Sequence, residues 1–439
     1  MQLATKNINK LVSAASKPLV SNFLSLGLIQ GSNFLLSILT FPYIIRTVGV
    51  ENFGLVTLSQ AVMFYFTVLT DYGFNLSATK DISIHRNNIS QLSRTFSEVI
   101  VTKALLLVLS FAILTSILFL VPDYKAYTSL ILYSFTIVLG QFLLPTWFFQ
   151  GVEKMKYITY INIFSRALYA SSIFLFIRHA DDYIYINLIN GSSAIVGGLI
   201  SLLIVLRKFK LQFLLPTPRD IRSQLVDGWN VFFSNVTVTI ANNTNILILG
   251  VFATPIVLGY YSIAEKVYVL SRSLASILHQ VVYPRVCVLA SVSSLQLNAF
   301  LKNVFKVVLL AFLPLSLSLF FLSDYIVFLI AGEHLAQASL VLKVVAFGPL
   351  MAALCIPVSQ TMLALQLTRN YAIIVSIGAA VNITLNFLLA HFYQAVGTAW
   401  CILITETLVT VMLYFTLQRF YPHYFFLSKT NVALQLETE

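Results

Sequence analysis

From Leu19 to Ile45 the sequence carries no charged side chain. A helix needs about 20 apolar residues to cross the hydrocarbon core of a bilayer, so this run alone points to an environment that no water-soluble globule offers. It is longer than the apolar region of a secretory leader, about 7–15 residues, and has no small-residue cleavage pattern, so it is expected to remain as an anchor. Further runs of the same kind follow at 53–78, 99–121, 127–149, 157–178, 183–206, 229–252, 258–282, 304–322, 337–364, 371–391 and 396–417. The composition agrees: 58% hydrophobic residues stand against 10% charged ones, where soluble domains carry about 25% charged residues. A soluble enzyme is excluded. The expected fold class is all-α, a polytopic membrane protein with about twelve transmembrane helices.

Charge then orients the spans. Twelve crossings put both termini on one side, and that side collects 18 basic residues, from Lys6, Lys10 and Lys17 through Arg207, Lys208 and Lys210 to Arg419 and Lys429. The other side holds only Arg46, Lys125 and Arg178. Lys and Arg accumulate on cytoplasmic connections, so both ends are expected in the cytoplasm. The net charge of +11 therefore follows from topology and from contact with anionic membrane lipids, and nucleic acid is not an expected partner.

Several chemistries lack their signatures. Cys287, Cys355 and Cys401 show no CxxC spacing, so neither a disulfide framework nor a zinc site is indicated. No GxxxxGK[ST] or HExxH pattern occurs, which leaves no loop to cradle ATP phosphates and no metal motif. No cofactor is expected, and the external connections are too short to hold a catalytic domain. The segment 207–228 has five basic residues and two prolines near the middle of the chain. It divides the sequence into a lobe of six spans (1–206), a cytoplasmic linker (207–228), a second lobe of six (229–417) and a cytoplasmic tail (418–439). A faint repeat supports the division: Phe53 to Gln60 and Leu258 to Glu265 share the pattern apolar-Gly-x-x-[ST]-[LI]-[SA]-[QE]. Parallel halves of this kind are a transporter architecture.

Charges within spans are costly, about 2.5–3.5 kcal/mol each at mid-membrane, and are functional candidates by default. Eight stand out: Asp71, Lys103, Arg166, Glu265, Lys266, Arg272, Lys343 and Glu406. In the eighth span Tyr261, Glu265, Tyr268, Arg272, Ser276 and His279 recur every three or four residues, which places them on one helix face. Such a stripe cannot face lipid and is expected to line a cavity. The seventh span contains NVTVTIANNTN, Asn235 to Asn245, equally unsuited to lipid. The alternative for its amides and hydroxyls is interhelical hydrogen bonding, worth roughly 0.6 kcal/mol each. Arg166 and Arg272 are favoured for the cavity because a guanidinium has five donors and suits phosphate. Lys103, near a cytoplasmic end, has a simpler reading, that it snorkels to the interface; Lys343 shares it at its outer end. Glu265 and Arg272 are far apart for a direct pair, about 10 Å along the axis.

The segments 21–61, 65–83 and 147–169, around Pro42-Tyr43, Gly49, Gly54, Asp71-Tyr72-Gly73-Phe74-Asn75 and Gln150-Gly151, resemble the Wzx-type O-antigen flippases. These belong to the multidrug/oligosaccharidyl-lipid/polysaccharide exporter superfamily. The resemblance implies two six-helix lobes around a cationic cavity, alternating between the faces of the bacterial inner membrane. It also implies an undecaprenyl-pyrophosphate-linked oligosaccharide as cargo, with a polysaccharide polymerase and a chain-length regulator as partners. On that reading Arg166, Arg272, Lys266, Lys103 and Lys343 supply positive charge to the diphosphate, Tyr268 and Asn242 contact substrate, and Asp71, Glu265 or Glu406 titrates in ion antiport. The rivals are a flippase for another lipid-linked glycan (enterobacterial common antigen, capsule or lipid II), a drug exporter of the same superfamily and a membrane glycan polymerase. An acidic cavity would suit a cationic drug and a large external loop a polymerase; the charges and loops here favour neither.

Overall fold

The computed structural model describes residues 36–120 and 122–422. The run from Leu19 is thus described only from Leu36 onward, and the tail expected at 418–439 only as far as Pro422. Among the described residues the secondary structure is helical, without a β-strand. The helices are α1 (Leu36–Val48), α2 (Val50–Asp71), α3 (Phe74–Ile84), α4 (Ile89–Leu120), α5 (Thr128–Leu143), α6 (Thr146–Gly151), α7 (Met155–Phe176), α8 (Tyr183–Lys208) and α9 (Pro218–Asn243). There follow α10 (Asn245–Phe252), α11 (Pro255–Val292), α12 (Ser294–Phe321), α13 (Ser323–Ala331), α14 (Ala336–Val345), α15 (Gly348–Leu354), α16 (Ile356–Ala364) and α17 (Thr368–Phe420). Among the described residues eight helical segments are long and apolar enough to cross a membrane. The segments α7 and α9, both expected to span, are not among these eight; α7 carries Lys156, Asn162 and Arg166, and α9 is rich in amides.

Local chemistry sets the breaks. Tyr72 (φ 44°) and Gly73 (φ 80°) take left-handed conformations that stop α2 and restart the chain as α3. A side chain at Gly73 would also collide with Val231 and the main chain of Phe232, so glycine permits both the turn and the approach of α9. Pro349 and Pro357 fall in the first turns of α15 and α16, where a missing N–H costs little; the run 337–364 is accordingly cut into three short helices. Pro284 and Pro314 lie inside α11 and α12, both of which continue past them. The helix α17 is broken at Gln394 (φ 49°, ψ −129°), between the runs expected to end at 391 and begin at 396. Its halves fold back along one another, with Asn382 Nδ2 donating to Thr405 Oγ1 (3.3 Å).

The chain divides into two compact units, Met1–Ile240 and Ala241–Glu439. Most of α9 therefore belongs with the first unit, although it begins inside the segment read as a linker. Side chains account for this: Tyr72 stacks on Phe232 with ring centroids 4.5 Å apart, and Arg94 Nη2 donates to Asp220 (2.8 Å). An aromatic cluster of Phe74, Phe96, Trp147, Phe148 and Phe149 forms the core beneath them. In the second unit Val286, Leu301, Val308, Met362, Leu413 and Leu417 form the corresponding core.

Packing of α5 on α8 shows how backbone approach is achieved in the first unit. A Cβ at Gly191 would fall on the Thr136 side chain and main chain, and one at Gly198 on Leu143; small residues allow this close packing of membrane helices. Buried Asn187 is fully engaged beside it, donating to Ser134 Oγ (2.7 Å) and Val56 O (3.2 Å) and accepting from Gln60 Nε2 (2.8 Å). Gly191→Val is expected to destabilise the chain by about 1–3 kcal/mol through overpacking. Thermal melting of the detergent-solubilised protein checks this, and an unchanged midpoint would show that the interface gives way freely.

Candidate functional site

Two groups of intramembrane charge emerge, one in each unit. In the first unit Lys103 on α4 is 1% exposed and its Nζ lies 2.7 Å from Asp71 Oδ1 at the end of α2. Lys103 does not snorkel, because a carboxylate meets it inside the protein. Nearby, at the start of α4, Glu98 is buried and accepts from Arg94 Nε (2.8 Å) and Gln224 Nε2 (2.9 Å). The amides of Gln212 and Leu214 donate to Ser93 and Ser97 of α4 at 3.1 and 2.9 Å, so part of the segment read as a linker is strapped to the first unit. Asp220 is held below the usual carboxylate range by hydrogen bonds from Thr217 and by the Arg94 guanidinium. Glu98 lay just outside the expected third span; the i,i+4 spacing to Arg94 was the signal that could have found it. Arg166 is exposed on α7, and none of the seven ion pairs among the described residues includes it.

In the second unit the stripe on α11 is assembled as the spacing predicts, and its partners become visible. Buried Tyr261 donates to Glu265 Oε1 (3.2 Å). One turn on, Tyr268 Oη donates to Glu406 Oε1 (3.2 Å), and Arg272 Nη2 lies 2.9 Å from the same oxygen. Arg272 thus pairs with Glu406, from the second half of α17, rather than with Glu265. Farther along, Gln360 Nε2 meets the His279 ring, 2.7 Å from Nε2. Tyr261 to His279 covers about 27 Å of helix, close to the roughly 30 Å thickness of a hydrocarbon core.

The remaining candidates separate. Lys266 is exposed beside the stripe. Lys343 pairs with Asp324 (2.8 Å), with side chains 34% and 59% exposed; such an exposed pair contributes little to stability. Hydrogen bonds from Lys343 and Ser339 hold Asp324 below its ordinary range. The side chain of Asn242 lies outside the described residues. Asn245, from the same amide-rich stretch, accepts from buried Asn386 (3.0 Å), an interhelical bond of the kind weighed for these residues.

The geometry of the stripe has a direct chemical consequence. Glu406 satisfies part of the five-donor Arg272 guanidinium, and the Arg272 side chain is 46% exposed. Tyr268 is packed tightly enough that a Cβ at Gly348 would strike its ring, so the hydroxyl that orients Glu406 is held from behind. The cluster can therefore offer a positioned cation to an anionic group while keeping a carboxylate beside it.

Comparison with known proteins agrees with this architecture. The family described as "Polysaccharide biosynthesis protein" matches residues 19–289. The "Putative O-antigen transporter" of Escherichia coli (strain K12) is 31% identical over 409 residues, covering 93% of this chain and 97% of that protein. Among solved structures, lipid II flippase MurJ in an inward closed conformation aligns with TM-score 0.70 at 15% identity, over 91% of this chain and 87% of that one. An inward-facing multidrug resistance MATE family transporter of the MOP superfamily aligns with TM-score 0.69 at 12% identity, over 89% and 95%. At such identities the structural likeness speaks for the fold. With an all-α, multi-pass architecture and sequence kinship over nearly its whole length, the chain belongs to the polysaccharide biosynthesis protein family.

Proposed function

We propose that this chain is a flippase that carries undecaprenyl-pyrophosphate-linked O-antigen repeat units from the cytoplasmic to the periplasmic face of the bacterial inner membrane by alternating access, with both termini cytoplasmic. The observation that carries the reading is the half-exposed Arg272 held against Glu406 and Tyr268 on a polar helix face. A diphosphate entering hydrocarbon needs compensating charge, and a planar guanidinium supplies it with two parallel hydrogen bonds. Phosphate oxygens compete with Glu406 for Arg272, which makes Glu406 the carboxylate placed to couple ion antiport to substrate binding. Of the three carboxylates considered for coupling, Asp71 is neutralised by Lys103 and Glu265 is bonded to Tyr261; Glu406 alone touches the proposed phosphate ligand. Arg166, exposed and outside every ion pair among the described residues, serves as the first lobe's cation, with Lys266 in support. A polymerase and a chain-length regulator receive the flipped units.

Deleting the gene in its own host tests the reading. The expected result is loss of the surface polymer with accumulation of undecaprenyl-linked repeat units inside the cell, reversed by the plasmid-borne chain. Normal surface polysaccharide in the deletion strain, together with sensitivity to cationic drugs, would move the protein to the drug-exporting side of the superfamily.

A further inference from the structure

The two halves of α17 hold a groove that takes no part in the polar stripe. Its volume is about 390 Å³, within the range of ligand clefts, roughly 300–1,000 Å³. Ile373, Ile377, Met412 and Phe415 line its length, while Arg419 stands at one end beside Asn370 and Thr416. Beyond Ile377, Gly378 lets Val409 approach and Asn382 bonds Thr405, so the two half-helices lie close there. Ile373, Ile377 and Phe415 are exposed along the trough, and neither Arg419 nor the neighbouring exposed Arg369 joins an ion pair among the described residues.

Hydrocarbon below and, at the mouth, a cation in no ion pair among the described residues reproduce, in order, the needs of a phospholipid. We propose that this groove binds an anionic membrane phospholipid, with its phosphate on Arg419 and the first stretch of one acyl chain between the two half-helices. Length and charge select that occupant. Asn370 to Ile377 extends about 10 Å, less than the roughly 15 Å of one leaflet's hydrocarbon, so the groove takes only the upper part of a chain. A groove this short has no room for the long polyprenyl tail of a lipid-linked diphosphate, whereas the head and first methylenes of a phospholipid fit it. The site lies wholly within the second unit and stands whether or not the flippase reading holds.

Native mass spectrometry of the purified full chain tests it, with phosphatidylglycerol, phosphatidylcholine and inorganic phosphate as separate probes. The parent chain is expected to retain phosphatidylglycerol about fivefold better than phosphatidylcholine and to show no retention of inorganic phosphate. Arg419→Gln should erase that preference, and Ile377→Trp, which fills the deep end, should reduce retention of both lipids severalfold. Because Arg419 is exposed, its variant decides the matter alone should the Trp variant aggregate. An unchanged lipid preference in Arg419→Gln overturns the proposal. So does equal retention of inorganic phosphate, or loss of all lipid retention on deleting 423–439, which would move the site to the tail.

Discussion

Arg272→Ala is expected to lower export of lipid-linked O-units by on the order of 30-fold or more. Losing the charge-assisted hydrogen bonds that this half-exposed guanidinium gives an anion costs about 1.5–3 kcal/mol, and 1.4 kcal/mol is a factor of ten. A cheaper explanation for lost export is that the variant leaves Glu406 without its counterion and the protein misfolds. Comparing the single substitution with Arg272→Ala/Glu406→Ala separates the two, because removing both charges relieves the uncompensated one. Membrane abundance should recover in the double variant while export stays lost. Recovery of both would reduce Arg272 to a structural partner of Glu406 and remove the central support of the proposed mechanism. Arg272→Lys adds a graded readout: a point charge keeps attraction but forfeits the two-pronged geometry, so export should fall between parent and Ala variant. Export is scored as surface polymer per unit of membrane-inserted protein.

Lys103→Met should have the largest effect on stability. Lys103 is 1% exposed and its Nζ is 2.7 Å from Asp71, whose side chain is 25% exposed, so the substitution leaves a partly buried carboxylate without its counterion, at a cost of about 3 kcal/mol, the lower end of the range for a broken buried pair. Apparent melting temperature and membrane abundance should both drop sharply. Adding Asp71→Asn removes the stranded charge and should restore most of the loss, since a neutral buried pair is often as stable as a charged one. Export in this double variant is the informative quantity. If Asp71 only anchors α2 to α4, export returns with abundance. A double variant that inserts normally yet exports nothing would instead make the pair part of transport, and would return Asp71 to the set of coupling carboxylates from which its pairing with Lys103 now withdraws it.

The degree to which this molecule was legible differs from feature to feature. The polar face of α11 was readable because helical periodicity is local: Tyr261, Glu265, Tyr268, Arg272 and His279 share a face whenever that segment is helical. The break in the last helix was readable too, as a short interruption between two apolar runs, and Gln394 occupies it. Pro349 and Pro357 marked where the span at 337–364 could be disturbed, but not that it would split into three helices, since a proline can bend a membrane helix or end it. The adherence of α9 to the first unit was equally hidden, because it rests on contacts such as Tyr72 with Phe232 and Arg94 with Asp220 across more than a hundred residues.

By itself the sequence determined the solvent of this protein, its helical class, the approximate positions of its spans and the face on which the polar groups of α11 sit. All of these follow from composition and from a repeat of a few residues. Only the tertiary structure decided which charges neutralise one another: Lys103 takes Asp71, Arg272 takes Glu406, 134 residues on in the sequence, and Lys343 takes Asp324. An ion pair requires two side chains within about 4 Å, and that distance is set by how helices distant in the chain pack, a quantity that no local periodicity contains.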